Sequence, residues 1–320
     1  MNRVLVTGAR GFVGNTLCPM LAQAGYLVRS AARTDGPKPA GATESVVVGD
    51  IGSRTDWGQA LRDVDLVIHL AARAHVLNHA TDAADTYLET NARGTQRLTA
   101  DSVRNGIHRL IYLSSVKVNG EETRGRAYSA EDVPHPLDAY GSSKSQGEQL
   151  LAQAAAGSSM QSVIVRSPLV YGPGVRANFL RLLHWIDQER WLPLGAIRNR
   201  RSLVSVWSLC DLLLRVLEHP AAAGRTWMVS DGEDLSTPEL VRRIAHAMGR
   251  RVRLLPVPAP LLRVAGALVG NQAEMRRLCG SLTVDITPTR EQLGWSPPLS
   301  MDEALARTVG WYRSHGRLPV

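Results

Sequence analysis

The chain has 320 residues, 44% of them hydrophobic and 21% charged, which excludes a disordered or collagen-like polymer and leaves room for one or two full cores. Its three cysteines, Cys18, Cys210 and Cys279, lie far apart with no CxxC pair, arguing against a disulfide scaffold or zinc module and fitting a reducing cytoplasm. The formal charge is +8, and with only Lys38, Lys117 and Lys144 as lysines, arginine supplies 34 of the 37 positive groups. These arginines are scattered, apart from a cluster at 198–201, and no zinc-finger or RNA-binding motif accompanies them. A small anionic ligand therefore fits better than nucleic acid. The longest apolar stretch, 254–269, is cut by prolines and by Arg263, so no span of the roughly 18 apolar residues that cross a membrane is expected. The sequence starts directly on an apolar strand, so no signal peptide is expected.

Short apolar runs at 3–7, 27–31, 46–48, 66–70, 110–114 and 163–166 alternate with amphipathic stretches such as 14–24 and 90–105. Continuous apolar strands separated by helices predict a parallel sheet covered on both faces, a doubly wound α/β fold. Proline and glycine punctuate 168–174 and 193–195. The remainder mixes helices at 209–217, 238–248 and 301–314 with short strands such as 226–229. This predicts a cofactor-binding domain over 1–168 and a smaller α/β substrate domain over 169–320, some of whose segments can return to the first.

The first strand runs into Thr7-Gly8-Ala9-Arg10-Gly11-Phe12-Val13-Gly14 and then a helix. Glycines let the backbone approach a pyrophosphate, and a helix N-terminus offers free N–H groups and partial positive charge. Gly8, Gly11, Phe12, Val13 and Gly14 are the candidate cradle, although the same turn could simply be a tight strand-to-helix connection. An NAD site usually ends its second strand on an acidic residue; here Ala32 and Arg33 stand there. Arg33 would attract a 2′-phosphate, favouring NADP(H) over NAD(H), unless Asp35 takes the acidic role or Arg33 is only a solvated loop residue. Asp50 and Ile51, after the third strand, are candidates for the adenine end or for a simple strand cap.

Tyr140 and Lys144 lie four apart, on one helical face. With seven tyrosines and three lysines, chance spacing predicts far fewer than one such pair, and this is the only one. A free phenol near pKa ~10 is a poor acid–base group at neutral pH. An ammonium at about 4 Å in an effective dielectric of about 20 contributes up to ~4 kcal/mol, enough to lower that pKa by as much as about three units. Ser115, ending the strand at 110–114, is placed to hold a substrate oxygen beside the phenol.

Taken together, these segments resemble the extended short-chain dehydrogenase/reductases of the NAD-dependent epimerase/dehydratase family. The resemblance rests on residues 7–14, Val67-Ile68-His69-Leu70-Ala71-Ala72, Asn91 with Gly94-Thr95, Leu113-Ser114-Ser115, Tyr140 with Lys144, and 166–174. It implies a Rossmann fold in which Leu70, Ala71, Ala72, Asn91, Ser167 and Pro168 line the cofactor. Tyr140 becomes the acid–base residue, Lys144 its activator and ribose ligand, and Ser115 the substrate-oxygen donor. It also implies Asn178, Arg201 and, through a looser alignment, Arg276 at the diphosphate of a UDP-sugar. Lys117 is a candidate substrate contact or a solvated loop lysine.

Segments 115–120, 172–181, 193–202, 229–238 and 278–285 resemble more narrowly the bacterial UDP-4-keto-6-deoxy-N-acetylhexosamine 4-reductases of polysaccharide synthesis. Hexose 4-epimerases usually carry Val-Tyr-Gly after the active serine and Asp at the second strand end. Here Val118-Asn119-Gly120 and Ala32-Arg33 stand instead. The expectation is thus an NADP(H)-dependent 4-keto sugar reductase. Its alternative is a UDP-hexose 4-epimerase with tightly held NAD, and a non-catalytic dinucleotide sensor is more remote. The resemblance also implies a homodimer built through the helix of Tyr140 and the one after Asn91.

Overall fold

The expected apolar runs form strands β1 (Arg3–Thr7), β2 (Leu27–Ala32), β3 (Glu44–Val47), β4 (Leu66–His69), β5 (Arg109–Ser115) and β6 (Gln161–Ser167). This computed structural model describes residues 2–74, 82–268, 270 and 272–316. Val4, Leu5 and Val6 of β1 and Val67 and Ile68 of β4 are fully buried, because helices cover both faces of the sheet. Those of the first half are α1 (Gly14–Gln23), α2 (Gly58–Leu61), α3 (Asp82–Tyr87), α4 (Gly94–Arg104) and α5 (Ala139–Ala155). The helix expected over 90–105 is divided: a wide π-type turn occupies Leu88–Arg93 before α4 begins. Such turns free a carbonyl from the helical ladder and often mark functional positions.

The second half adds β7 (Leu169–Tyr171), α6 (Ala177–Asp187), β8 (Trp191–Leu192), β9 (Arg201–Ser205), α7 (Val206–Glu218) and β10 (Arg225–Met228). It continues with β11 (Asp234–Leu235), α8 (Thr237–Ala247), β12 (Arg253–Leu254), α9 (Ala259–Leu268), α10 (Gln272–Cys279), α11 (Thr287–Leu293) and α12 (Met301–Trp311).

Among the described residues the main sheet has seven strands in the order β10-β6-β5-β4-β1-β2-β3, all parallel. The direction of winding reverses between β1 and β4, where Thr7 lies level with His69. At such a switch point the loops diverge and open a crevice beyond the carboxyl ends of the strands.

The strand expected at 226–229 belongs to this sheet rather than to the smaller part: β10 pairs with β6, Trp227 beside Val165. An apolar run of four residues carries no signal of its partner, which is why the sequence left its place open. α7 returns as well, packing with α1. Leu209, Leu212, Leu213 and Val216 join Val4, Val6, Leu17 and Leu21 in one core, which Leu282, Val284 and Trp295 complete. A second core gathers Phe179 and Leu183 of α6, Val241 and Ile244 of α8 and Leu305 of α12. Segments beyond residue 168 thus return to the first core, and the chain crosses between two cores several times. None of the helices in the described residues is long and apolar enough to cross a membrane.

Leu213 is fully buried where α7 meets this first core. Leu213→Ala leaves a cavity there and is expected to cost about 2–5 kcal/mol, measured as a lowered urea midpoint by circular dichroism.

Candidate active site

The glycine loop is built for a close backbone approach. Gly8 has φ +68, and a Cβ there would lie 2.9 Å from the Ala71 nitrogen; one on Gly14 would lie 2.4 Å from the Gly8 carbonyl oxygen. Gly11 N–H donates to the Gly8 carbonyl at 2.9 Å, curling the chain so that α1 begins at Gly14. Phe12 and Val13 are half-buried beside it. This is a cradle that any side chain on Gly8 would fill, and it fits a dinucleotide pyrophosphate. Arg10, which sequence reasoning passed over, donates to the Thr34 and Gly36 carbonyls at 2.8 Å each. It thereby ties the loop to the segment after β2. Arg33 and Asp50 face each other across 3.7 Å, both exposed, and Ile51 is half-buried nearby in sequence.

Beneath the loop, Thr7 Oγ1 meets His69 Nδ1 at 2.7 Å and His69 Nε2 meets Thr95 Oγ1 at 3.1 Å. Thr95 in turn donates to the Asn91 carbonyl at 2.8 Å. Thr95 must then accept from Nε2–H, which leaves Nδ1 to accept from Thr7. Thr7 Oγ1 itself accepts the Ala71 N–H at 3.1 Å. Every polar atom of the ring is satisfied by a neutral imidazole. Burial first, and then the nearby Lys144 charge, push His69 down to about 3. The π-type turn exposes the Asn91 carbonyl to two such donors, the second being Tyr112 Oη at 3.1 Å. Asn91 also brackets Arg73: its Oδ1 accepts from the Arg73 nitrogen at 2.8 Å, and its Nδ2 donates to the Arg73 carbonyl at 2.9 Å. That fixes the chain just after Leu70, Ala71 and Ala72, the expected cofactor-lining run.

Ser115 ends β5 and Tyr140 opens the first turn of α5, capped by Asp138, whose Oδ1 accepts the Gly141 N–H at 2.7 Å. The Ser115 hydroxyl accepts the Lys117 N–H at 3.3 Å. Tyr87 packs edge-on to the Tyr140 ring at 6.0 Å. Lys144 is fully buried, with Nζ 3.8 Å from the centre of the Tyr112 ring. Ser167 is buried beside β5, its hydroxyl 3.4 Å from the Ser114 carbonyl, and Pro168 is buried next to it. Ser115 thus stands at the carboxyl end of β5, and Tyr140 and Lys144 lie one turn apart on α5.

Its electrostatics differ from the expectation that Lys144 acidifies the phenol. Burial, and then Asp138, push Tyr140 up to about 12 against the Ser115 hydrogen bond. Burial likewise pushes the Lys144 ammonium down to about 7, against the pull of Glu148. Away from water each neutral form is favoured, and the four-residue spacing alone carried no information about solvation.

Lys117 is half-buried. Its Nζ sits 5.9 Å from the Tyr140 ring centre, bonds Glu121 at 3.1 Å and is ion-paired to Asp138. Arg277, from α10, meets Glu121 at 3.2 Å and Asp138 at 3.7 Å. Arg201 donates to the Arg277 carbonyl at 2.6 Å and so reaches this cluster through the backbone. Arg276 is exposed, while its neighbour Arg277 reaches the two carboxylates. Asn178 is exposed on the first turn of α6 and accepts from Arg181 at 3.1 Å. Asp138 was legible as a helix cap after a proline-rich loop; Glu121 and Arg277 carried no such signal.

A fold of this topology, with a glycine cradle at the switch point and a serine, tyrosine and lysine at the sheet edge, defines a dinucleotide-dependent enzyme of the short-chain dehydrogenase/reductase type. The profile of the NAD dependent epimerase/dehydratase family matches residues 4–230, and the chain belongs to that family. It is 42% identical over 310 residues to a UDP-glucose 4-epimerase of Vibrio cholerae, covering 96% of this chain and 94% of that one. It is 26% identical to an N-acetyl-α-D-glucosaminyl-diphospho-ditrans,octacis-undecaprenol 4-epimerase of Escherichia coli O157:H7, covering 99% and 97%. Among solved structures it is similar to MoeE5 in complex with UDP-glucose and NAD, with TM-score 0.79, 27% identity and coverage of 98% and 99%. The fold of a Bacillus cereus UDP-glucuronic acid 4-epimerase bound to NAD matches with TM-score 0.79 at 23% identity, over 98% of this chain and all of that one.

The depressed His69 value has a thermodynamic consequence. Between about pH 6.5 and 3 the unfolded chain binds a proton at this ring that the folded chain refuses, so folding stability drains away as pH falls through that window. Urea midpoints measured from pH 7 to 3.5 are expected to fall less steeply in His69→Gln than in the parent protein. Equal slopes would contradict a neutral buried ring.

Proposed function

We propose that the protein is a nucleotide-sugar 4-epimerase acting on a UDP-hexose with NAD held in the glycine cradle. The arrangement that supports this reading is Ser115 at the end of β5 with Tyr140 and Lys144 one turn apart on α5, in a fold whose first strand leads into the glycine cradle. The 42% identity to a UDP-glucose 4-epimerase supports the choice of substrate. Gly8, Gly11 and Gly14 receive the pyrophosphate, Leu70, Ala71 and Ala72 line the nicotinamide side, and Lys144 offers its N–H donors to the ribose. Bound there, the dinucleotide supplies hydride exchange at the sugar carbon and, when oxidised, a positive charge near Tyr140. Tyr140 takes the proton of the sugar 4-hydroxyl onto its phenolate oxygen as the ketone forms, and returns it when the carbon is reduced from the other face. Ser115 donates to the same oxygen in both directions. Lys117, Arg201 and Arg277 gather positive charge where the sugar diphosphate would approach.

NAD is preferred because Asp50 stands against Arg33, where a carboxylate would repel a 2′-phosphate. The reductase reading, an NADP(H)-dependent 4-keto-6-deoxy sugar reductase, draws on Arg33 itself, exposed after a second strand that ends without an acidic residue. The two readings differ in what the enzyme does with its cofactor.

Purified protein is expected to retain NAD through gel filtration and to interconvert UDP-galactose and UDP-glucose without added cofactor, assayed by chromatography of the sugar nucleotides. Consumption of NADPH by a 4-keto sugar, with no interconversion, would establish the reductase instead. In Tyr140→Phe, kcat is expected to fall by roughly 10²–10⁴-fold with NAD retention unchanged.

A further inference from the structure

Lys144 is an unusual cation. It is fully buried, and its Nζ lies 3.8 Å from the centre of the Tyr112 ring. No ion pair of the described residues includes it. A lone buried ammonium loses its proton readily unless negative charge is placed near it.

The groups that could supply that charge are few. His69 of β4 is held neutral by Thr7 and Thr95. Tyr112 of β5 is raised well above its ordinary value by burial and stays neutral. Tyr140 shares the helix and Tyr87 of α3 lies edge-on to it. Lys117, in the turn after β5, is occupied by Glu121 and Asp138. On α4, Arg97 and Arg104 are paired with Asp101, while the π-type turn contributes the uncharged Asn91. There remains Glu148, one turn beyond Lys144 on α5.

Glu148 is itself buried, as is its partner Arg166 of β6. Arg166 Nε and Nη2 donate to the two carboxylate oxygens at 3.0 and 2.6 Å. The Ser114 hydroxyl, one residue before Ser115, donates to the same carboxylate. Arg166 Nη1 reaches Asn119 Oδ1 at 3.1 Å, and Asn119 Nδ2 binds the Ser129 carbonyl at 2.9 Å. The carboxylate is thus locked to the strand that ends in Ser115, the strand that ends in Ser167 and the loop beyond Ser115.

We propose that Glu148 is a positioning residue of the reaction centre, whose carboxylate, clamped by Arg166 and Ser114, keeps the Lys144 ammonium charged and fixes the Tyr140–Lys144 face of α5 against the strands bearing Ser115 and Ser167. The proposal rests on the acid–base reading of Tyr140 and Lys144. Burial pulls Lys144 toward its neutral form and Glu148 opposes it, so removing the carboxylate favours loss of the proton at lower pH.

With only three lysines in the chain, protein labelled with 13C at the lysine Cε gives three signals, and that of Lys144 is identified by its loss in Lys144→Met. In Glu148→Gln the Lys144 midpoint is expected to fall by about one pH unit, a tenfold loss of proton affinity. The alkaline limb of the turnover–pH profile should move down with it. Because the single variant also strands the Arg166 cation, whose field further disfavours the Lys144 ammonium, Glu148→Gln/Arg166→Met repeats the titration without a buried unpaired charge, and a smaller downward shift is expected. A Lys144 midpoint that stays within 0.2 units (about 0.2 taken as the resolution of such a titration against a one-unit effect) in either folded variant overturns the proposal, whatever happens to stability or kcat. If the parent protein shows no turnover of nucleotide sugars, the functional reading fails, while the NMR midpoint still decides the role of Glu148.

Discussion

Putting an ammonium where water cannot follow is among the more costly arrangements a fold can make. The site of this protein is organised around one such group. Lys144 occupies a slot whose floor is the Tyr112 ring, and the elements around it are arranged to make the slot tolerable. β4 brings a neutral histidine rather than a charged one, the π-type turn gives up a carbonyl to hold Tyr112 and Thr95 in place, and α5 brings a carboxylate one turn away, tied to β6. A network of this kind is worth keeping only when every member is satisfied. Here one set of hydrogen bonds joins Thr7, His69, Thr95 and Asn91, and another joins Ser114, Glu148, Arg166 and Asn119 in the loop beyond Ser115.

The same economy explains why the phenol is hard to ionise on its own. Tyr140 lies between an aromatic edge, a capping aspartate and a serine hydroxyl, and only the last favours its anion. The helix cap that starts α5 in the right place therefore works against the chemistry of its own first turn. Lys117 and Arg277 are paired with that aspartate, which blunts its field at the ring. Local stability and reactivity are in tension at Asp138, and the cations of two separate segments hold the balance.

Much of the fold could be read from the chain because it depends on local pattern. Six apolar runs gave six strands with ends shifted by a few residues, and the glycine spacing after β1 located the cradle. Ser115, Tyr140 and Lys144 were legible because their residue types and spacing are rare. What escaped depends on distance in sequence. The place of β10 beside β6 is a pairing of residues about sixty apart. The Arg166–Glu148 bond unites two residues that look like an ordinary strand end and an ordinary helix face. That Arg277 rather than Arg276 meets Glu121 and Asp138 is a matter of helix rotation. Whether Tyr140 is acidified or made reluctant was beyond reach for the same reason, since solvation belongs to the assembled site.

The position of β10 also bears on how the chain reaches its folded state. As synthesis proceeds, β6 is complete at residue 167, yet the strand that covers its outer edge ends only at residue 228. For some sixty residues of translation the nascent sheet presents an open row of backbone donors and acceptors, a surface that invites pairing with other chains. Any fragment that stops soon after β6 would carry that bare edge permanently.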